Sequence, residues 1–380
     1  MNGDFMKNIS KFKVEKGILI PIIIFMVISI VTVFSAKSLL PDYQANIWLK
    51  QGLWYLIGFG IAYFIMSLGN DFLYNASYVL YGFNVILLIL VLFIGKEANN
   101  SKCWFDIFGV GIQPSEFMKF SLIILLSRLM NEYNVKNTNP SIQTEFKFLL
   151  KIMILVFIPS ALTFIEPDTG AVIIYLVIMF AILFIGGIRK RWFALALGTL
   201  IFLVCSLFII FFFNKNLFIK FFGTSFFYRI DRILNWSLGD GGQLNKSLIA
   251  IGSSGILGHG FNHTPLYFPE LQTDFIFGVY ASNFGFLGSI MLILLLIIFD
   301  MNLISSASKT YDSKDKYAIA GIIGMLVFQQ IQNIGMTIGL LPIMGITLPF
   351  ISYGGSSLIS YMLLVGIIFN VSNQSLRYTN

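Results

Sequence analysis

The chain has 380 residues, of which 57% are hydrophobic and only 11% are charged. Soluble globular domains carry about 25% charged residues, so this composition excludes an ordinary soluble protein and predicts an integral membrane protein. The net charge of +7 comes without a basic run interleaved with aromatic residues, so we expect no nucleic-acid partner. The two cysteines, Cys103 and Cys205, lie in a predicted loop and a predicted span, and we expect no disulfide between them.

Ten stretches of the chain predict transmembrane helices, because a helix needs about 20 apolar residues to cross a bilayer. They lie near residues 17–37, 50–69, 76–95, 114–131, 149–165, 170–187, 192–213, 275–302, 318–340 and 357–372. The first stretch follows several lysines but lacks a convincing cleavage site, so we interpret it as a retained helix rather than a signal peptide. The predicted fold is an all-α polytopic membrane protein, with residues 1–380 forming one integral-membrane domain.

The distribution of basic residues predicts the orientation, because lysine and arginine favour the cytoplasmic side of a membrane. The N-terminal lysines, the basic residues at 189–191 and those at 309–316 share one side if the N-terminus is cytoplasmic. An even number of spans then places both termini in the cytoplasm. The long connection between the seventh and eighth spans, about residues 214–274, becomes an extracellular loop. We expect it to be functional, to fold against the membrane surface and to contain a helix near 247–256.

Four polar clusters lie toward the predicted outer face. In the first, QPSEFMK at 113–119, Glu116 and Lys119 are three residues apart and share one face of a helix, so they can pair. Ionisable side chains inside a membrane span are candidates for function. An ion pair that only joins two helices explains the same spacing equally well.

The second cluster, EPDTG at 166–170, forms the turn between the fifth and sixth spans. Asp168 is well placed to cap the sixth helix, and this structural interpretation is the favoured one. The alternative is that Glu166 and Asp168 hold a cation or a basic group of a substrate.

The third cluster, PELQTDF at 269–275, leads into the eighth span. Thr273 or Asp274 suits a helix N-cap, and Asp274 equally suits a base that takes a proton from a hydroxyl. An apolar wall beside it would raise its pKa toward neutrality. The fourth group is basic: Arg229, Arg232 and Lys246 in the long loop either form a solvated face or neutralise a phosphate group.

Residues 333–357, which we name the signature segment, read NIGMTIGLLPIMGITLPFISYGGSS. Proline and glycine interrupt this apolar stretch, and backbone at membrane depth must be hydrogen-bonded within the protein, so we expect it to line a cavity. It carries no charge. Ser352, Tyr353 and Ser356 either contact substrate or help to shape the cavity wall. The chain has no Walker motif and no HExxH motif, which argues against ATP hydrolysis and zinc proteolysis.

Taken in order, the motifs resemble those of the SEDS family (shape, elongation, division and sporulation proteins) over nearly the whole chain. The resemblance rests on GIQPSEFMK at 111–119, EPDTG at 166–170, KSLIAIGSSGILGHGF at 246–261, FPELQTDFIF at 268–277 and the signature segment. Within the family, GMTIGLLPIMGITLPF is most similar to the RodA-type branch.

The resemblance implies an inverting peptidoglycan glycosyltransferase that polymerises lipid II at the outer face of the bacterial cytoplasmic membrane, for elongation, division or sporulation. It also implies a class B penicillin-binding protein as partner, together with other proteins of such complexes. Carried over by motif, Asp274 is the essential carboxylate, Glu116 and Lys119 line the central cavity, and Trp104 matches a tryptophan before the first motif. A divalent cation, Mg²⁺ or Mn²⁺, is a possible cofactor, with Glu166 and Asp168 as its possible ligands.

Several positions depart from the family pattern, namely Lys246, Gln272, Ser282 and Asn283. They put the contacts of the long loop, and full activity, in question. Two other functions are compatible with the sequence: a lipid II flippase or transporter, and a non-catalytic scaffold of a cell-wall synthesis complex. A transporter should carry polar groups along its full depth, whereas here they cluster toward the outer half.

Overall fold

Helices dominate the architecture. The structure is a computed structural model that describes residues 14–41, 44, 46–98, 101–107, 110–234 and 242–378, apart from the side chains of 97, 98, 101, 107, 222, 225, 228–234 and 374–378. Twelve helices lie within these ranges: α1 Lys16–Lys37, α2 Ile47–Leu68, α3 Asn70–Ile94, α4 Pro114–Lys136, α5 Ile142–Ile165, α6 Thr169–Ile185, α7 Lys190–Phe213, α8 Lys215–Leu234, α9 Gln243–Ser253, α10 Ile276–Lys309, α11 Ser313–Thr337 and α12 Gly355–Tyr378.

Each of the ten predicted spans overlaps one of these helices. Eight helices are long and apolar enough to cross a membrane: α1, α2, α3, α5, α7, α10, α11 and α12. Two more helices overlap predicted spans without meeting this criterion. α6 has 17 residues, which is short for a span, and α4 carries the charged residues Glu116, Lys119 and Arg128. The all-α polytopic fold is therefore confirmed, and the chain is a multi-pass membrane protein. The number of ten spans and the cytoplasmic placement of both termini stay predictions.

Glycines bring the central helices together. α2 and α12 pack along most of their lengths. A Cβ atom at Gly58 would lie 2.6 Å from Cγ of Met362, and one at Gly366 would lie 2.6 Å from Cβ of Ile65. Small residues of this kind let the backbones of membrane helices approach closely. At the periphery, α7 has no buried residue and packs mainly on α8.

A small antiparallel sheet joins α3 to α4, where the sequence predicted only a loop. Its strands are β1 Lys96–Ala98, β2 Ser101–Ile107 and β3 Val110–Ile112, in the order β1-β2-β3. Trp104 on β2 is paired with Lys96 on β1. The sheet therefore places Cys103 and Trp104 at the head of α4.

The long loop packs against a kink in α10. Its helix α9 spans Gln243–Ser253, so it starts and ends a few residues before the predicted one. α10 bends at Gly285, whose φ is +65°, and residues 255–260 hydrogen-bond to the backbone exposed there. Phe286 N–H donates to Gly255 O at 3.1 Å. A Cβ atom at Gly285 would lie 2.3 Å from the nitrogen of Gly258, so this approach requires glycine.

The signature segment is irregular between α11 and α12, over residues 338–354. Side chains from three helices bond its backbone carbonyls: Ser29 to Ile351 at 2.7 Å, Tyr55 to Phe350, Gln51 to Ser352 at 3.2 Å, and Gln332 to Pro342 at 2.7 Å. This confirms the expectation that protein, rather than lipid, surrounds the interrupted backbone.

Candidate functional site

A cavity of about 340 Å³ lies between the heads of α4 and α6, the turn before α10, and the signature segment. Four carboxylate residues line it, namely Glu116, Asp168, Glu270 and Asp274. Among the described residues, no lysine or arginine lines the wall. The cavity is therefore acidic, and it gathers three of the four polar clusters that the sequence singled out.

Asp274 lies in the turn that leads into α10. The N-cap of this helix is Phe275, with no side chain bonded to the exposed N–H groups, so the N-cap interpretation of Thr273 and Asp274 is wrong. Thr273 instead donates its hydroxyl to Oε2 of Glu270 at 2.8 Å. Gly345 passes beside the Asp274 carboxylate with a φ of +66°, and a Cβ atom there would lie 3.6 Å from Oδ2.

The surroundings of Asp274 change its acidity. Burial, together with the nearby negative charges of Glu270 and Asp168, raises its pKa from 3.8 to about 7. A carboxylate with a pKa near the working pH is well suited to general base catalysis, because it is deprotonated and yet basic enough to accept a proton.

Asp168 caps α6, as the sequence predicted. Its Oδ1 accepts the N–H of Ala171 at 3.0 Å. Its Oδ2 accepts hydrogen bonds from Nε2 of Gln113 at 3.0 Å and from the hydroxyl of Ser115 at 3.1 Å. These bonds fix the head of α4 to the head of α6 beneath the cavity.

Glu166 and Asp168 do not fit a metal site. Glu166 is 1% exposed, and burial, reinforced by Asp168, raises its pKa to about 8. Glu166 also does not line the cavity. Asp168 already accepts three hydrogen bonds. Within the described ranges there is also no group of three or more His, Cys, Asp or Glu side chains that could hold a metal ion.

Glu116 and Lys119 form the predicted ion pair, with 2.6 Å between Oε2 and Nζ. Lys119 is fully buried and does not line the cavity, whereas Glu116 does. The ammonium lies 5.5 Å from the ring centroid of Tyr361 on α12. The pair therefore joins α4 to α12, and the expectation that Lys119 lines the cavity is corrected.

Trp104, Tyr353 and Ser356 all line the cavity. Ser356 also has a structural role, because its hydroxyl accepts the N–H of Gln113 at 3.1 Å and donates to Gly111 O at 2.9 Å. These bonds join the head of α12 to the sheet. Trp104 covers Gly111, where a Cβ atom would lie 3.1 Å from its ring.

Ser352 and Lys246 do not line the cavity. The Ser352 hydroxyl donates to Thr273 O at 2.7 Å and accepts the N–H of Leu348 at 2.8 Å, so both of its bonds are internal. Lys246 is exposed on α9. The side chains of Arg229 and Arg232 lie outside the described residues.

Sequence reasoning missed two amides of α11. Gln329 lines the cavity and donates Nε2 to the hydroxyl of Tyr361 at 3.0 Å, while its Oε1 accepts no hydrogen bond from the described residues. Asn333 is fully buried and donates to Asp274 O. The signal that could have found them is a polar side chain within a membrane span.

Two of the departures from the family pattern have structural partners. Ser282 and Asn283 are buried in α10 beside its kink. Asn283 Oδ1 accepts the hydroxyl of Thr264 at 3.1 Å, and Ser282 O accepts the N–H of His259 at 3.0 Å. These positions serve the docking of the long loop on α10, and neither lines the cavity.

Comparison with known proteins gives concordant matches. The sequence model of the family described as "Cell cycle protein", which covers FtsW, RodA and SpoVE, matches residues 16–377. The chain is 34% identical to "Probable peptidoglycan glycosyltransferase FtsW" of Coxiella burnetii, over 80% of this chain and 79% of that protein. It is 31% identical to "Peptidoglycan glycosyltransferase MrdB" of Helicobacter pylori, over 92% of this chain and 87% of that protein.

A solved structure shares the fold. It is described as "Structural coordination of polymerization and crosslinking by a peptidoglycan synthase complex". The two chains superpose with a TM-score of 0.79 at 23% identity, over 95% of this chain and 98% of the other. The overall fold of the chain therefore belongs to a known architecture.

Proposed function

The chain belongs to the FtsW, RodA and SpoVE family of cell cycle proteins, and we propose that it is a peptidoglycan glycosyltransferase that polymerises lipid II. Two relatives that are 34% and 31% identical to it over the aligned residues carry this activity in their names. Those names come from both the FtsW and the MrdB groups, so the proposal concerns the activity common to them. The RodA-type signature segment favours a role in cell-wall elongation and cell shape.

The observation that carries the proposal is the position of Asp274, a carboxylate with a pKa of about 7 in an acidic cavity. Asp274 accepts the proton of the acceptor sugar's 4-hydroxyl. The oxygen forms a bond to the anomeric carbon of the donor from the face opposite the pyrophosphate. The bond from that carbon to the phosphate oxygen breaks, and its electron pair leaves with the pyrophosphate. The α-linkage becomes β, and the proton passes to water.

The charge of the cavity supports binding of the acceptor rather than the donor's pyrophosphate. Its described lining holds the carboxylates of Glu116, Asp168, Glu270 and Asp274, which repel a pyrophosphate but accept hydrogen bonds from sugar hydroxyls. We therefore place the neutral acceptor sugar beside Asp274 and the donor's pyrophosphate beyond these residues. A tail of polyprenyl type would lie along the apolar helices.

Charge on the departing pyrophosphate requires a positive partner. Arg229 and Lys246 of the long loop stay candidates for that role. Mg²⁺ or Mn²⁺ also stays a candidate, although Glu166 and Asp168 do not fit it, and no step above depends on a metal. The proposal includes the cytoplasmic membrane as location and a class B penicillin-binding protein as partner, and the shared fold of a synthase-complex chain supports the partner.

Polymerisation of purified lipid II tests the proposal. The full-length protein with its penicillin-binding partner is expected to build glycan strands, and Asp274→Asn is expected to lower the rate by about 10³-fold, since a general base contributes roughly 10²–10⁴-fold. Asp71→Asn is the matched control, because Asp71 is an exposed carboxylate that pairs with Lys314 and does not line the cavity. It should polymerise at the wild-type rate.

Two results would overturn the proposal. If Asp274→Asn builds glycan strands at the wild-type rate, Asp274 is not the base. Lipid II translocation into liposomes, with no strands from the wild type, would instead establish the transporter function.

A further inference from the structure

Three consecutive carbonyl groups around Asp274 are each bonded by the signature segment. The N–H of Tyr353 donates to Gln272 O at 2.9 Å, and the hydroxyl of Ser352 donates to Thr273 O at 2.7 Å. Nδ2 of Asn333 donates to Asp274 O at 2.7 Å. The turn before α10 has no capping side chain of its own. Its backbone position at Asp274 is therefore determined by contacts from a segment that begins some sixty residues later.

Asn333 uses both of its amide hydrogens. Nδ2 donates to Asp274 O and to Ile346 O, each at 2.7 Å. The side chain is fully buried, and its Oδ1 accepts no hydrogen bond from the described residues. Ile346 lines the cavity. A single amide thus joins the backbone of Asp274 to the part of the signature segment that lines the cavity beside it.

The backbone of Ser352 is hydrogen-bonded to a buried side chain of α2. Its backbone carbonyl accepts Nε2 of Gln51 at 3.2 Å, and the same amide donates to Ser29 Oγ at 2.9 Å. Gln51 and Ser29 are fully buried on α2 and α1. The hydroxyl that holds Thr273 O is therefore fixed by the helical body rather than by another loop.

Such anchoring matters because the Asp274 carboxylate acts from irregular backbone. Glu270, at the start of the same turn, has a φ of +56°, a conformation that L-residues rarely adopt. A displacement of about 1 Å between reacting groups costs roughly 10²-fold in rate. The charged groups that face Asp274 are Glu270 on the same turn, Asp168 at α6 and Glu116 on α4, all negative. They repel its carboxylate, so electrostatic attraction does not hold it in place.

We propose that Asn333 and Ser352 are positioning residues that hold Asp274 at the distance required for proton transfer. This inference rests on the proposed function of Asp274. The signature segment then acts on the chemistry through the backbone of the turn, rather than through contacts of its own with substrate.

The decisive variant is Asn333→Asp, which keeps the size of the side chain but replaces the two N–H donors by acceptors. In the lipid II polymerisation assay, with the partner protein present, kcat is expected to fall about 10²-fold while KM changes less than about threefold. Asn370→Asp is the matched control. Asn370 is buried and donates to Ile65 O at 3.3 Å and to Asn70 Oδ1 at 3.1 Å, far along α12 from the cavity.

Ser352 supplies a second, milder test that does not depend on the folding of Asn333→Asp. Ser352→Ala is expected to lower kcat about tenfold, and Ser352→Thr, which retains the hydroxyl, should restore most of it. Water that reaches a loosened Asp274 lowers its pKa, so the acidic limb of the rate profile should move down by about one pH unit in Ser352→Ala.

The outcomes separate the two proposals. If the wild type builds strands and Asp274→Asn does not, while Asn333→Asp and Ser352→Ala keep the wild-type kcat and pH profile, the positioning role is wrong and the function stands. An equal loss of kcat in Asn370→Asp would also overturn the positioning role, because it would reflect general destabilisation. If the wild type builds no strands, both proposals fall.

Discussion

The two helices α7 and α12 are both apolar enough to span a membrane, yet they have opposite surroundings. Only 6% of the apolar window of α7 is buried inside the protein, against 83% for α12. α7 is the more hydrophobic of the two, whereas α12 carries buried Ser356, Ser360 and Asn370. Of these two helices, the more apolar one lies at the periphery of the protein, and the one with moderate apolarity and small polar residues lies next to the site.

The comparison has a physical basis. A lipid-facing helix needs only apolar side chains, because the bilayer makes few demands on shape. A central helix must fit against several neighbours and present hydrogen-bonding groups to them, which favours glycine, serine and asparagine. Substitutions in the two environments should therefore differ in their effect.

Removal of the buried cation should cost the most stability. Lys119→Met leaves the carboxylate of Glu116 without its partner, and such a loss typically costs about 3 kcal/mol. The free energy of unfolding, measured by titration of a detergent-solubilised sample with a denaturing detergent, should fall by that amount. The exposed Lys190 at the start of α7 is the control, and Lys190→Met should change it by less than about 0.5 kcal/mol. Equal effects at both lysines would contradict the comparison.

A methyl group added to the central helix pair should be the next largest effect. In Gly366→Ala the new Cβ would lie 2.6 Å from Ile65 and 2.9 Å from Ala62 O, so the helices must move apart, at a cost of about 2 kcal/mol. Gly198 in α7 has nothing within 4 Å of the same position, and Gly198→Ala should be neutral or slightly stabilising. Thermal unfolding of both variants in the same detergent measures the difference.

The interior should also determine the pH range of activity. Because the pKa of Asp274 is raised to about 7, its basic form is lost as the pH falls below that value. Activity should therefore drop about tenfold per pH unit between pH 6 and pH 5, and level off above about pH 7.5. Initial rates of strand formation across this range provide the measurement. A rate that stays constant down to pH 5 would mean that Asp274 retains its ordinary acidity.

Truncation of a lipid-facing side chain should have the smallest effect. Leu200 in α7 is 57% exposed, and Leu200→Ala should change the free energy of unfolding by less than about 0.5 kcal/mol. Leu364 in α12 is 2% exposed, and the same truncation there should cost about 2 kcal/mol. A loss at Leu200 comparable to that at Leu364 would show that α7 packs on protein.

The sequence predicted the helices well because a membrane helix depends mainly on a run of apolar residues of sufficient length. All ten predicted spans overlap a helix, and the all-α polytopic class followed from composition. The sheet at Lys96–Ile112 escaped prediction because its strands have three to seven residues, too few for a clear alternating pattern.

The site could be predicted only in part. Glu116, Asp168 and Asp274 were found because charged residues are conspicuous in an apolar chain, and all three line the cavity. Lys119 was misplaced because helical spacing indicates which residues pair, but not whether the pair faces a cavity. Asn333 was missed because an uncharged amide in a helix has no local pattern that distinguishes it, and its two acceptors lie 13 and 59 residues away in sequence.

The kink of α10 at Gly285 has a consequence for how the protein enters the membrane. Its exposed backbone groups bond to residues 255–260, which are synthesised before α10 and lie on the predicted outer face. If the loop lies outside as predicted, it must cross the bilayer before α10 is inserted, or these groups would be left without partners in lipid. We therefore expect correct insertion of α10 to depend on prior translocation of the long loop. A ribosome-stalling series should detect correct insertion of α10 only after residues 255–260 have reached the outside.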